Sequence, residues 1–330
     1  MGAEPSPREL AEALVAGDRR ALARAITLVQ SRRPTDREPS LDLLDALPDT
    51  PDDAHRVGIC GPPGVGKSSL IEALGRHWLD AGERLAVLAI DPRSPVSGGS
   101  LLGDATRMEE LSRHPDAFVR PSPSAGDSSG LGRGTRESVL LCEAAGFSRV
   151  LLETVGVGQA EDRVRGLVDT LVLLVQPGAG DEIQGLKRGL LELADLVVVT
   201  KADGDLAAEA ERAVSEHRQA LALTSSPRSG WERPLLSVSA HEARGLGALA
   251  DGLAEHRTHL AATGRLAAGR SEQAVSALRF DLREALWERF LTPERRAALD
   301  RLSTEVASGS LSPGRAVARL LESDESAESR

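Results

Sequence analysis

The stretch "GICGPPGVGKSSLIEAL", from Gly58 to Leu74, carries G-x-x-x-x-G-K-[ST] at Gly61, Gly66, Lys67 and Ser68. In this pattern the glycines let backbone N–H groups turn towards phosphate oxygens, and a helix beginning there adds the favourable end of its dipole. The cradle would run through Gly61, Pro62, Pro63, Gly64, Val65, Gly66, Lys67, Ser68 and Ser69. Lys67 is placed to reach the β- and γ-phosphates, and Ser68 to hold Mg²⁺. The pattern needs a strand before it and a helix after it. "HRVGIC" is a short apolar run of strand type, and "SSLIEALGRHWL" has helical spacing at Leu70, Leu74 and Trp78.

A phosphate cradle does not select a base. In "VVVTKAD", Lys201 and Asp203 match the end of the guanine-reading pattern N/T-K-x-D at a strand end. The Asp203 carboxylate can accept from guanine N1–H and the 2-amino group together, and adenine offers neither donor. Hydrogen bonds to charged groups are worth about 1.5–3 kcal/mol each, enough for about tenfold to several hundredfold discrimination. Lys201 would lie along the base plane. "SVSAHE" at the next strand end puts Ser239, Ala240 and His241 where a backbone N–H could meet guanine O6.

On the metal side, "LLETVGVGQAE" ends an apolar run with Glu153 and Gly156 in place of the usual Asp-x-x-Gly. Glu153 could hold Mg²⁺ through water, and the Gly156 N–H could sense the γ-phosphate. "LAIDPRSPVSGGSLLGDATRM" brings Asp91 from a strand end and Asp104 from a glycine-rich loop, both candidate partners of Mg²⁺ or water. A turn-forming Asp-Pro and a helix cap ahead of "ATRMEEL" are the alternatives for these two. Lys67, Asp91 and Glu153 are the catalytic candidates; Ser68, Asp91, Asp104 and Glu153 are the metal candidates. Arg107, Arg120, Arg133 and Arg136 surround these loops, each either a surface arginine or a cis arginine finger.

These residues need a scaffold that brings strand ends to one edge. The runs "RLAVLAI", "RVLLETV", "DTLVLLV", "DLVVVT" and "PLLSVS" lack clean alternation, as strands buried on both faces of a parallel sheet do, and helical stretches separate them. That predicts an α/β, doubly wound, mostly parallel sheet of the P-loop NTPase kind over residues 55–262. Residues 1–54 read as a helical extension and linker. Two short helices come first, with a capping box at Ser6, Pro7 and Glu9, a stop at Gly17 and a cap at Asp18; a proline-rich, acidic connection around one helical turn follows. Residues 263–330 read as a C-terminal helical segment with a polar tail. There Val275, Leu278, Leu282, Leu286 and Phe290 form one stripe, and Phe280 and Trp287 lie off it. A helix this apolar has more than one face to bury, which suggests a dimer contact. "PGAGDEIQGLKRGLLEL", from Pro177, reads as a helix softened by Gly185 and Gly189, a candidate for carrying nucleotide state to a partner.

The chain has 330 residues and a net charge of −10, which argues against holding nucleic acid or an anionic membrane through a basic face. No segment has the length and apolarity of a membrane span, so a cytoplasmic protein is expected. The two cysteines, Cys60 and Cys142, fall in apolar runs and read as small buried hydrophobes. The seven histidines are scattered, which disfavours a nickel-insertion GTPase. Two methionines and the negative charge disfavour a protein-targeting GTPase.

Taken in order, "GPPGVGKSSLIEAL", "DPRSPVSGGSLLGDATRM", "FVRPSPSAGDSSGLGRGTRESVLLCEAAGF", "LLETVGVGQAE" and "LVLLVQPGAGDEIQGLKRGLLELADLVVVTKAD" resemble the methylmalonyl-CoA-mutase-associated GTPases of the MeaB/ArgK type. The likeness covers roughly residues 55–260. It implies binding of GTP and GDP with Mg²⁺, and a homodimer built partly on C-terminal helices. It further implies a chaperone that gates cobalamin loading and protects a B12-dependent acyl-CoA mutase. An older description of such proteins as transport-system kinases makes a P-loop small-molecule kinase the alternative. Thr200 stands where the family usually has Asn, removing an amide that helps hold the loop and guanine N7. Asp127 and Ser128 occupy a loop that the family fills mainly with small residues.

Overall fold

Seven parallel strands form one sheet in the order β3-β2-β4-β1-β5-β6-β7. They are β1 (His55–Cys60), β2 (Leu85–Pro92), β3 (Ala117–Ser124), β4 (Arg149–Glu153), β5 (Thr170–Val175), β6 (Leu196–Val199) and β7 (Leu235–Ser237). The computed structural model describes residues 5–48, 53–92, 108–124, 134–154, 164–177, 192–224 and 230–322. Every residue of β5 and β6 is buried, which explains why neither strand alternates in sequence.

Helices cover both faces. On one side α1 (Pro7–Val15), α2 (Arg19–Val29), α3 (Arg37–Asp45), α6 (Thr135–Ala144) and α7 (Ala207–Thr224) meet the sheet face bearing Val150, Leu152, Leu171 and Leu173. On the other, α4 (Lys67–Asp80), α5 (Glu109–Arg113) and α8 (Leu246–Ala262) meet Val57, Ile59, Val87, Leu151 and Val172. The N-terminal helices therefore share the core of the sheet. Their caps are those read from sequence: Ser6 and Glu9 close a capping box, and the Asp18 carboxylate accepts from the Arg20 and Ala21 amides. Gly134 caps α6 at φ +75°, and a Cβ there would lie 2.5 Å from the carbonyl oxygen of Val29, so only glycine lets α2 approach so closely.

Two elements differ from the sequence reading. The stretch taken as a connection around one helical turn contains α3, nine residues long, with Leu43 fully buried. β3 is absent from the runs read as strands; its "AFVRPSPS" carries Pro121 and Pro123, and it lies at an edge of the sheet, where a missing amide on the outer side costs no ladder bond.

The chain divides into two compact units, residues 1–270 and 271–330. The division falls inside α9 (Arg265–Phe290), where sequence reading put the boundary at 262/263. The second unit continues through α10 (Pro293–Ala307) and α11 (Pro313–Glu322). No residue of α9 is buried; Leu278, Leu282, Leu286 and Trp287 are at least half exposed.

At the sheet edge away from the phosphate loop, a buried polar network joins β1, β4, β5 and α8. The Arg149 guanidinium lies 3.3 Å from His55 Nδ1, and arginine only donates, so Nδ1 accepts and the proton sits on Nε2. His55 Nε2 then donates to Thr170 Oγ1 at 2.8 Å, and Thr170 donates its own proton to His256 Nδ1 at 2.8 Å. His256 Nε2–H faces Asp195 Oδ1 at 3.6 Å. Burial pushes both imidazoles down to about 3, with Arg149 acting in the same direction on His55 and Arg165 on His256. Nearby, Arg270 holds Asp169 through two short bonds and also donates to the Ala54 carbonyl at 2.7 Å. Burial pushes the Asp169 carboxyl up, but Arg270 brings it below its ordinary value.

Candidate functional site

The phosphate loop leaves the central strand β1 at Cys60 and turns into α4 at Lys67. Gly61 sits at φ +152°, and a Cβ there would lie 2.7 Å from the Leu174 carbonyl oxygen of β5, so the loop passes too close to the neighbouring strand for any side chain. Pro62 is partly exposed, Pro63, Gly64 and Ser69 are exposed, and Val65 is buried beneath the loop. Gly66, at φ +99°, is the N-cap of α4. Lys67 and Ser68 are both buried on the first turn. The Lys67 ammonium donates to the Gly61 and Pro62 carbonyls, both at 3.0 Å, which holds it across the mouth of the loop.

β4 lies beside β1 with Ile59 opposite Glu153, so Glu153 ends its strand level with the start of the loop. Ser68 Oγ donates to Glu153 Oε1 at 2.8 Å, and both groups are buried. A hydroxyl and a carboxylate are hard oxygen donors, the chemistry that Mg²⁺ takes. On β2, Ala89 pairs with Glu153, which puts Asp91 two residues further along the same edge. Asp104, Gly156, Arg107 and Arg133 lie outside the described residues, as does most of the glycine-softened segment after Pro177. Arg120 on β3 donates to Thr27 Oγ1 of α2 at 3.1 Å and so fastens an N-terminal helix.

The base side is built where β6 and β7 end. Thr200, buried just past β6, donates its hydroxyl to the Val65 carbonyl at 2.6 Å, with the Val175 carbonyl at 3.2 Å. Lys201 adopts φ +55° and its ammonium meets Gln176 Oε1 at 3.2 Å. Asp203 is partly exposed, and the fully buried Ser239 donates its hydroxyl to Asp203 Oδ2 while accepting from the Glu242 amide at 3.0 Å. The Ser239 amide donates to the Arg244 carbonyl at 3.0 Å in a bridge closing the loop. Ala240 and His241 form the tip of that loop.

Sequence reasoning thus placed the phosphate loop, Glu153, Asp91 and the Lys201–Asp203 pair along one edge, and the structure brings them there. It missed the side-chain ties of Thr200 and Ser239, since a hydroxyl's partner leaves no mark on spacing. No described helix is long and apolar enough to cross a membrane.

Residues 22–295 match the family described as methylmalonyl Co-A mutase-associated GTPase MeaB. The chain is 48% identical over 314 residues to a probable GTPase of Mycobacterium tuberculosis, covering 95% of this chain and 94% of that protein. It is 44% identical over 319 residues to the mouse methylmalonic aciduria type A homolog, covering 93% and 77%, and 44% identical over 263 residues to the GTPase ArgK of Escherichia coli, covering 80% of each. Among solved structures, that of an LAO/AO transport system kinase superposes with a TM-score of 0.74 at 34% identity, over 98% of both chains. With a phosphate loop, a candidate guanine-reading carboxylate and these relatives in hand, the chain belongs to the MeaB family of mutase-associated GTPases, whose reaction is hydrolysis of GTP to GDP and phosphate.

Proposed function

We propose that this GTPase is a chaperone that gates cofactor loading and protects a B12-dependent acyl-CoA mutase, methylmalonyl-CoA mutase or a close relative, in the cytoplasm. The reading rests on membership of a family described as mutase-associated. Gly61 to Ser69 bind the phosphates, with Lys67 on the β- and γ-phosphates. Ser68 and Glu153 would hold Mg²⁺, with Asp91 and Asp104 as further candidate partners of the ion or its water; the bound ion would neutralise phosphate charge and help orient the γ-phosphate. Asp203, held by Ser239, reads guanine N1–H and the 2-amino group. Lys201 lies along the base, Ala240 and His241 border O6, and Gly156 senses the γ-phosphate. Two copies associate through the C-terminal helices.

Phosphate release measured with GTP and with ATP, with and without the purified mutase, tests the proposal. A slow GTP-selective rate that the mutase changes is the expected result. A rate that requires a small-molecule acceptor, and transfers phosphate to it, would replace the proposal with the kinase reading carried by the LAO/AO relative.

A further inference from the structure

From Arg19 to Arg37 the chain carries six arginines and one acid, Asp36, a balance of +5 in a protein of net charge −10. The structure gathers part of this charge on one surface. On α2, Arg20, Arg24 and Thr27 follow one another at spacings of four and three, which sets them on one helix face, and all three are exposed. Arg120 reaches that face from β3, donating to Thr27 Oγ1 at 3.1 Å. At the other end of the helix, Arg19 donates to the carbonyls of His114 and Pro115, which lead into β3, at 2.9 and 3.2 Å. Arg33, also exposed, follows three residues beyond Gln30, the C-cap of α2.

This strip lacks counter-ions. Among the described residues, Arg20, Arg24 and Arg33 make no ion pair. Arg120 Nε is shielded from solvent without an acceptor, and burial lowers the pKa of its guanidinium with no carboxylate acting against it. Like charges four residues apart, as in Arg20 and Arg24, weaken a helix. Folding alone does not account for such an arrangement.

We propose that this α2–β3 border is a docking surface for an acidic face of the mutase, whose carboxylates supply the counter-ions that Arg20, Arg24, Arg33 and Arg120 lack. The proposal rests on the reading of the mutase as partner. Guanidinium groups pair with carboxylates through two parallel bonds, and pairing removes the repulsion along α2. Because α2 is fastened to β3 at both ends, the charges form a fixed array that a partner meets without first ordering a segment. A nucleic acid fits the strip less well. Residues 5–48 contain no aromatic side chain on which a base could stack, and the chain outside Arg19 to Arg37 carries −15, which repels a long polyanion.

The test is calorimetric binding of the purified mutase to the full chain, to Arg120→Gln and to a triple variant carrying Arg20→Glu, Arg24→Glu and Arg33→Glu. Wild-type affinity should fall at least about fivefold as salt rises from about 50 to about 300 mM. At low salt the triple variant should bind at least about tenfold more weakly, lose most of that salt dependence and keep its own GTP turnover. Lysine at the same three positions should restore affinity to within about threefold, and Arg120→Gln should cost about threefold or more. Wild-type affinity in the triple variant or in Arg120→Gln would overturn the proposal while leaving the mutase as partner. A wild type that binds no mutase removes the partner itself, and the proposal falls with it. Binding of a short DNA duplex as tightly as the mutase, lost in the triple variant, would make the strip a nucleic-acid site. A changed oligomeric state of the triple variant by light scattering would make it a contact between copies of the chain. Either result overturns the proposal. Arg120→Gln, which leaves α2 unaltered, keeps the outcome decisive should the triple variant not fold.

Discussion

Ser68 Oγ and Glu153 Oε1 lie 2.8 Å apart, joining the first turn of the phosphate-loop helix to the last residue of β4. Both are buried, so the carboxylate sits where a cation would gain most from it. Glu153→Gln keeps a hydrogen-bond acceptor for Ser68 and removes the charge. GTP turnover should fall at least about tenfold, and the Mg²⁺ concentration needed for half-maximal activity should rise. An unchanged Mg²⁺ titration would take Glu153 out of the metal site.

Asp203→Asn should weaken GTP and shift preference towards xanthine nucleotides, whose C2 oxygen can accept from the new amide. Ser239→Ala should give a milder loss, about three- to tenfold in GTP affinity, because Asp203 survives but loses the donor that orients it. Calorimetry with GTP and XTP checks both. Equal affinities in all three proteins would move the base site elsewhere.

The buried histidines set a pH dependence. Unfolded, each imidazole titrates near 6.5; folded, each is held down to about 3. Between these values the unfolded chain binds protons that the folded one does not, so this contribution to stability is complete above about pH 6.5 and is lost as pH falls towards 3. The loss is at most about 1.4 kcal/mol per pH unit for each imidazole. Urea midpoints should drop from pH 7 to pH 5, above the range where Asp169 takes up its proton. His256→Gln should flatten that slope. A slope unchanged by the substitution would mean that other groups carry it.

Deleting residues 271–330 should leave a monomeric nucleotide-binding unit by light scattering, if the exposed side chains of α9 form the dimer contact. A deletion beginning at Arg265 should do the same but also lower thermal stability, since it takes Arg270 from the buried Asp169 and leaves that carboxylate uncompensated. A shortened chain that is still dimeric would place the interface in the GTPase unit.

How far the sequence reached follows from the range of each signal. The Ser6–Glu9 capping box and the strand–loop–helix around Lys67 are local patterns, and they were legible. α3 was hidden by one proline and three acids among its nine residues, although Leu43 is fully buried and Leu44 packs against the same core. The tie from Thr200 to Val65 spans 135 residues, and only the order of β1, β5 and β6 in the sheet brings the two together. The direction of the bonds through His55, Thr170 and His256 likewise depends on a guanidinium from β4 that no spacing rule selects.

The prolines of β3 also bear on how copies of the chain can meet. Residues of a strand alternate in the side to which their amides point, so Pro121 and Pro123 omit donors on the same side, away from β2. The Ala117 amide, on that side too, is turned onto the His114 carbonyl. An extended peptide arriving at this border finds the row of donors interrupted, and it cannot be zipped on as an eighth strand. The opposite border, β7, is three residues long. Neither border favours growth by strand addition, which protects the folded GTPase unit from edge-to-edge aggregation and leaves its associations to side-chain surfaces.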